Sequence, residues 1–270
     1  MKRTLAVRLL PGLIASTLAA CAGQPGPGTD SGTDLGLRWV RDAAEWQALS
    51  LQVYAAASED LPRFLNDRSW SALPGQRDAA ELPPAIIFDV DDTLVSNVDF
   101  QIALEPPFRN SKFDDWNATY EARPVPGAAK FVQLAIDAGV EVFFVTNRPC
   151  EARPGVERFC PQQETTIHDL IETGIPANAD RVMMAAEQAD WTSEKRVRRD
   201  LIARDYRVIM LFGDDLADFI PCARKSVVPP CTEPATKALR EATTDAHANY
   251  WGDGWYILPN PMYGSWTSVE

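Results

Sequence analysis

One short stretch constrains this chain more than any other: Pro83-Pro84-Ala85-Ile86-Ile87-Phe88-Asp89-Val90-Asp91-Asp92-Thr93. A short apolar run of this kind, without a polar face, suits a strand covered on both sides, as in parallel sheets flanked by helices. It then opens abruptly into three carboxylates. Four more runs read as strands, at 140–145, 182–184, 207–212 and 256–258. Between and after them lie helical stretches at 127–138, 163–173, 193–204 and 233–243. Strands alternating with helices predict an α/β fold built on a doubly wound, Rossmann-like parallel sheet. Ahead of the first strand, Trp39, Ala43, Trp46, Val53, Ala57 and Leu61 recur at helical spacing. They predict an N-terminal helical extension over 35–65, capped by Asp34, followed by a loop over 69–84. Residues 96–125 are too long for a plain connection and carry Phe100, Phe108, Phe113, Trp116 and Tyr120. They are expected to form a small cap inserted over the active end of the sheet.

Ahead of this domain the chain reads as an address. Lys2, Arg3 and Arg8 form a positive start, Leu9 to Ala20 is apolar but short for a bilayer span, and Leu18-Ala19-Ala20-Cys21 follows. This resembles a bacterial lipobox. Residues 1–20 would then be a lipoprotein signal peptide, and Cys21 the lipidated first residue of the exported protein. Gly23 to Thr33, rich in Gly, Pro, Ser and Thr, lies within a flexible tether over 21–34. The domain itself would span 35–270. Ala22 after the Cys leans toward outer-membrane sorting, so the expected location is the bacterial cell envelope, lipid-anchored. No other segment is long and apolar enough to span a membrane.

Charge and cysteine content narrow the functions. The 270 residues carry 26 basic and 38 acidic groups, a net charge of −12. Loss of residues 1–20 removes three basic groups and no acidic ones, giving −15. Such a chain offers no basic surface for a nucleic-acid polymer. With Cys21 lipidated, Cys150, Cys160, Cys222 and Cys231 remain, an even number that suggests two disulfides in an exported protein. Three pairings are possible. The local pairs Cys150–Cys160 and Cys222–Cys231, each closing a Pro-containing loop, are favoured. Thiolate metal binding is the weaker reading, because no C-x-x-C occurs and only His168 and His247 are present.

The strand ends carry the chemistry, as expected where ligands bind at the carboxyl edge of such sheets. Asp89 and Asp91, two apart, would project to one side. Phe144-Val145-Thr146-Asn147-Arg148 closes a second strand, Lys195 opens a basic helix with Arg196, Arg198 and Arg199, and Gly213-Asp214-Asp215-Leu216-Ala217-Asp218 closes a third strand. Crowded carboxylates call for a hard, oxygen-seeking cation, Mg²⁺ above all. One carboxylate could then attack phosphorus as nucleophile, and another could move protons. Lys195 and the cation would offset charge on the phosphoryl oxygens, which Thr146 and backbone N–H groups would hold.

These motifs, D-x-D-x-T, a Thr after an apolar strand, a Lys, and G-D-x-x-x-D, resemble those of the haloacid dehalogenase superfamily. The stretches DVDDTLVSN at 89–97, VTNR at 145–148, VPGA at 125–128, GDDLADF at 213–219 and ILPNPMYGSW at 257–266 are similar to the class C acid phosphatases. The segment at 45–56 also fits, and the likeness runs from about Trp39 to Trp266. It implies a magnesium-dependent phosphomonoesterase with Asp89 as nucleophile, Asp91 as general acid/base, and Thr146, Asn147 and Lys195 in the catalytic set. One Mg²⁺ per subunit would be held by an Asp89 carboxylate oxygen, the Asp91 carbonyl and Asp214, with Asp218 behind them. Nucleoside 5′-monophosphates or nicotinamide mononucleotide are the implied substrates, with the base stacked between Phe113 and Tyr263. Phe113 stands where this family commonly has Trp, Asp92 where Glu is frequent, and Asp215 where Asn is frequent. Sugar or aryl phosphates are the alternative substrates, and a non-catalytic ligand-binding surface lipoprotein is the rival class. No R-H-G, C-x5-R, G-x-S-x-G, H-E-x-x-H or P-loop motif occurs, so other phosphatase and hydrolase chemistries are disfavoured.

Overall fold

The computed structural model describes residues 32–119 and 121–269. The signal segment 1–20, Cys21, the tether up to residue 31, and Tyr120 lie outside the described residues. Among the described residues no helix is long and apolar enough to cross a membrane.

The elements in chain order are α1 (Gly32–Asp42), α2 (Ala44–Asn66), β1 (Pro84–Phe88), β2 (Val95–Ser96), α3 (Val98–Ala103), α4 (Asn110–Asn117), β3 (Arg123–Pro124), α5 (Ala128–Asp137), β4 (Glu141–Pro149), α6 (Pro161–Glu172), β5 (Val182–Ala185), α7 (Arg196–Asp205), β6 (Arg207–Gly213), α8 (Lys237–Ala246) and β7 (Trp255–Ile257). All five strands expected from the sequence form one sheet in the order β5-β4-β1-β6-β7. Every pairing in it is parallel. The apolar run that ends at Asp89 is therefore the central strand. Ile86 and Phe88 enter one core layer, Ala85 and Ile87 the other. That two-sided burial is why β1 tolerates no polar alternation.

The N-terminal extension is two helices rather than one. Ala43 adopts extended backbone (φ −84°, ψ 128°) between them. Helix α2 packs on the sheet through Tyr54, Ala57, Leu61 and Phe64, which fall on one face at alternating spacings of three and four. Helix α1 leaves that direction to lie against the C-terminal segment. A Cβ at Gly36 would sit 2.5 Å from the Pro261 carbonyl oxygen, and Val40 joins Val98 and Met262 in a separate small cluster. Helix α1 also already runs through Asp34, so that residue does not stand at its start. Tyr54 ties α2 to the turn after β1, its hydroxyl donating to the Thr93 carbonyl at 2.6 Å.

The long 96–125 stretch folds as α3, α4 and the β2–β3 pairing. Its Phe100 is buried, with ring contacts to Phe108, Phe113 and Trp116. The two disulfides are the local pairs Cys150–Cys160 and Cys222–Cys231.

Candidate active site

The site forms where β1, β4 and β6 end. Asp89 directly follows β1, still anchored to the sheet by its N–H donating to the Phe212 carbonyl at 2.9 Å. The chain then turns sharply. Asp92 takes a positive φ of 52°, and the N–H groups of Leu94 and Val95 donate to the Val90 carbonyl at 2.8 and 3.0 Å. This turn aims the Asp89 and Asp91 side chains into one cavity of about 370 Å³, whose lining also includes Phe113, Lys195, Asp214 and Tyr263.

Lys195 is the pivot of the acidic side. It stands immediately before α7 rather than within a helix, and is buried. Its Nζ donates to Asp89 Oδ1 and pairs with Asp218 Oδ1 at 2.7 Å. Burial pulls its pKa down, but the Asp218 and Asp89 carboxylates outweigh that, and the net shift is upward. Asp218 reaches the site from the 3-10 turn Leu216–Asp218, whose reciprocal cap it forms with Asp215. Gly213 makes room for it, since a Cβ there would overlap the Asp218 side chain.

Asp89, Asp214 and Asp218 each offer a carboxylate oxygen, all within 4.8 Å of one another. One ammonium pairs with two of these three carboxylates. Burial, set against the nearby Lys195 and reinforced by Asp218 and Asp91, pushes Asp89 up to about 7. Burial together with Asp218 and Asp89 drives Asp214 well above the usual carboxylate range. Asn260 Nδ2 donates to Asp214 Oδ2 at 2.7 Å but brings no charge. A compact all-oxygen set with surplus negative charge fits a hard divalent cation. The carboxylates gathered here are those of Asp89, Asp214 and Asp218.

The Asp91 carboxylate turns instead to Arg148 at the end of β4. Its Oδ1 accepts from Arg148 Nε at 3.0 Å, from an Arg148 terminal nitrogen at 2.8 Å and from Asn97 Nδ2 at 2.9 Å. Its Oδ2 accepts from Thr146 Oγ1 at 3.4 Å. Thr146 is fully buried, and its Oγ1 also accepts the Arg148 N–H at 3.1 Å. Asn147 lines the cavity and is held by Arg198, which donates to Asn147 Oδ1 at 2.8 Å and to the Thr146 carbonyl at 2.5 Å. Burial lowers the Arg198 pKa to about 10.

Phe113 and Tyr263 line the same cavity. Phe113 lies 4.9 Å from the Phe100 ring, with the Arg148 guanidinium carbon 5.3 Å from its own centroid. The Tyr263 hydroxyl donates to Asp92 Oδ2 and accepts from Asn97 Nδ2 at 3.2 Å. Asp92 is also bonded by the Asn97 N–H at 3.0 Å. Burial, opposed by those two bonds, raises Asp92 to about 7. Asp215 goes the other way. Burial would raise it, but Arg224 and the bonds from Ala217 and Ser265 lower it on balance.

The residues read as chemical from the sequence, Asp89, Asp91, Phe113, Thr146, Asn147, Lys195, Asp214, Asp218 and Tyr263, thus all converge on one cavity or bond to a residue lining it. Sequence reasoning passes over Arg148, quoted only inside a motif, and Asn97, Arg198 and Asn260. The signal for Arg148 is its position two residues after Thr146 on the same strand, which by the period of a strand puts both on one face.

Comparison with known proteins shows the family and the fold. The model of a family described as HAD superfamily, subfamily IIIB (acid phosphatase) matches residues 38–266. Among solved structures, the chain is similar to a class C acid phosphatase from Bacillus anthracis with tungstate bound, at 27% identity and a TM-score of 0.68, over 88% of this chain and 87% of that one. A second structure of the class C acid phosphatase from Bacillus anthracis matches at 26% identity and a TM-score of 0.66, over the same shares.

Proposed function

This chain belongs to the acid phosphatases of subfamily IIIB of the HAD superfamily and is a phosphomonoester hydrolase, and from that premise we propose that it hydrolyses small phosphomonoesters through a covalent phosphoaspartyl intermediate on Asp89. The observation that carries this reading is the Lys195 bridge between Asp89 and Asp218 at the carboxyl end of the central strand, with Asp214 close by. A carboxylate so placed, facing a cavity, is a nucleophile held by a neighbouring cation.

In the first step an Asp89 oxygen attacks phosphorus and the bond to the ester oxygen breaks. The Asp91 carboxyl gives its proton to that departing oxygen. In the second step water attacks the acyl phosphate, Asp91 takes the water's proton, and inorganic phosphate leaves with Asp89 restored. Lys195 neutralises charge on Asp89 and on the phosphoryl oxygens, while Thr146 and Asn147 hold those oxygens in place. Asp89, Asp214 and the Asp91 carbonyl, with Asp218 beside them, would hold one Mg²⁺ per subunit. When bound, that ion supplies charge neutralisation at the transferring group. Tungstate is an oxyanion, and its presence in the Bacillus anthracis enzyme supports an oxyanion subsite here.

For the substrate we propose a nucleoside 5′-monophosphate or nicotinamide mononucleotide, because two aromatic residues, Phe113 and Tyr263, border the cavity beside Asp89 and Asp91. A stacked base suits such walls, and base–aromatic stacking is worth ~1–3 kcal/mol. The amino-terminal address supports a lipid anchor on Cys21 and an envelope location. Assay of p-nitrophenyl phosphate, 5′-AMP and a sugar phosphate with and without EDTA tests the reading. Metal-dependent release that is strongest on 5′-AMP is expected. Activity untouched by EDTA would refute the metal assignment, and a preference for the sugar phosphate would refute the nucleotide one. Release of Cys21-lipidated protein from membranes only by detergent tests the anchor.

A further inference from the structure

The side of the site away from the acidic trio carries a second buried ionic cluster. Arg148 is 5% exposed and its guanidinium is divided between two carboxylates. Nε and one terminal nitrogen go to Asp91. The other terminal nitrogen donates to Asp169 Oδ2 at 2.5 Å and to Thr166 Oγ1 at 3.3 Å. Asp169 and Thr166 sit one turn apart on α6, and both are buried. Helix α6 is in turn fastened to the strand that carries Arg148. The disulfide joins Cys150, two residues after Arg148, to Cys160, the residue before α6. Gln162 in the first turn of α6 adds a reciprocal pair with Glu151, Nε2 donating to the Glu151 carbonyl at 2.9 Å and Oε1 accepting the Glu151 N–H at 3.2 Å.

We propose that Arg148 is a positioning residue for Asp91, held from behind by Asp169 and Thr166 of α6 and locked in register by the Cys150–Cys160 disulfide. The inference rests on the reading of Asp91 as the group that protonates the departing oxygen. The geometry favours this role over a merely structural ion pair in two ways. A structural partner for Asp169 would need one edge of the guanidinium, whereas Arg148 commits a second edge to the carboxylate that faces the cavity. It also loads one oxygen of Asp91 more than the other. Oδ1 accepts from Arg148 at 2.8 and 3.0 Å and from Asn97, while Oδ2 has only contacts of 3.2 Å from Arg148 and 3.4 Å from Thr146. Oδ1 is thus the anchored oxygen, and Oδ2 the one left to meet the substrate. A planar fork fixes both the place and the plane of a carboxylate, which a lysine ammonium does not.

The test separates proton delivery from everything else through the leaving group. For p-nitrophenyl phosphate the departing phenolate needs little protonation, whereas the alkoxide of 5′-AMP needs it fully. The value of kcat/KM reports transfer to Asp89 alone, so the second step does not blur the comparison. Arg148→Lys is expected to lower kcat/KM on 5′-AMP roughly 100-fold and on p-nitrophenyl phosphate less than about 10-fold. Inhibition by inorganic phosphate should stay within about 3-fold, since the guanidinium of Arg148, although it borders the cavity, is already engaged by Asp91, Asp169 and Thr166. Asp169→Asn, which leaves Arg148 in place, should give the same preference at smaller size. The double change Cys150→Ser with Cys160→Ser should follow at smaller size again. The last two variants keep the test alive if Arg148→Lys does not fold. Losses equal on the two substrates across these variants would overturn the proposal. Asp91→Asn serves as the reference. If it discriminates between the leaving groups and the Arg148 and Asp169 variants do not, only the positioning role falls. If Asp91→Asn fails to discriminate, the assignment of Asp91 falls and the positioning role falls with it.

Discussion

The floor of the cavity and the wall supplied by residues 96–125 are built on different principles. The floor is ionic and over-determined. Asp89, Thr146, Lys195 and Asp218 are buried, each has named partners, and each belongs to a strand end, to the start of α7 or to the turn that follows β6. The wall is aromatic and less buried. Helix α4 has no buried residue, Phe108 is 52% exposed, and Phe113 is held through contacts to its ring. Phosphoryl transfer demands atoms placed to within a fraction of an ångström, which only a rigid sheet edge supplies. Recognition of a leaving group tolerates a softer surface. Substitutions in the floor should therefore remove activity on every substrate, and substitutions in the wall should sort substrates.

The largest expected contrast comes from Asp89→Asn. Loss of the nucleophile should reduce phosphate release by about 10⁴-fold or more on aryl and nucleotide esters alike, as nucleophile deletions do elsewhere. The measurement is single-turnover phosphate release with p-nitrophenyl phosphate and 5′-AMP. Retention of full activity on either ester would show that the floor does not act as a unit around this residue.

Next in size is Gly213→Ala. The added methyl carbon would overlap both Cβ and Oδ2 of Asp218, so the carboxylate that shares Lys195 with Asp89 has to move. A displacement of about 1 Å in such a site lowers turnover roughly 100-fold. The loss should be the same for both esters. A near-normal kcat in a well-folded Gly213→Ala protein would mean that Asp218 need not lie where it does.

The same contrast explains how much can be read from the amino-acid order. The floor is legible because the backbone enforces it. An apolar β1 must be buried on both faces, so Asp89 must emerge at its end, and the other two strand ends carry Thr146 and Asp214 to the same edge. Lys195 is legible as a charge but not as the residue that sits just before α7. The break at Ala43 is not legible, because helix periodicity continues through it and the contacts that seat α1, Gly36 on Pro261 and Val40 on Val98 and Met262, are distant in sequence. Arg148 is hidden for a similar reason. Its partner Asp169 is 21 residues away, and the place of Arg148 two residues after Thr146 gives the face it shares but not the carboxylates it pairs with. Pairings over such distances are set by tertiary packing, which periodicity does not encode.

A smaller effect is expected from the wall. Phe113→Ala should lower kcat/KM on 5′-AMP about 10-fold, in keeping with the loss of one stacking face, and change p-nitrophenyl phosphate by less than about 3-fold. Tyr263→Phe keeps the ring while removing the bond to Asp92, so it should spare the nucleotide preference. Equal losses on both esters from Phe113→Ala would place this residue with the floor.

The smallest effect concerns stability, and it asks whether the crowded acids of the floor are a burden that a cation relieves. Asp89 and Asp92 are each pushed up to about 7, chiefly by burial, and Asp214 is raised for the same reason with Asp218 and Asp89 adding to it. In an unfolded chain such carboxyls release their protons near pH ~4. Between about pH 4 and pH 7 the unfolded chain has therefore lost protons that the folded protein still holds, so stability falls as pH rises through that window. A divalent cation favours the ionised acids of the folded protein and should recover the loss at about pH 7. For the metal-free protein we expect the melting temperature to be about 5 °C lower at pH 7 than at pH 5, and Mg²⁺ to recover most of that difference. Asp214→Asn removes one of the crowded charges and should flatten both the pH slope and the response to Mg²⁺. The aromatic rings of the wall bring no group that titrates in this window, so Phe113→Ala should leave the slope unchanged. A melting temperature that rises over the same interval without added cation would mean that Lys195 alone balances the floor, and the three-acid set would lose its claim on a metal.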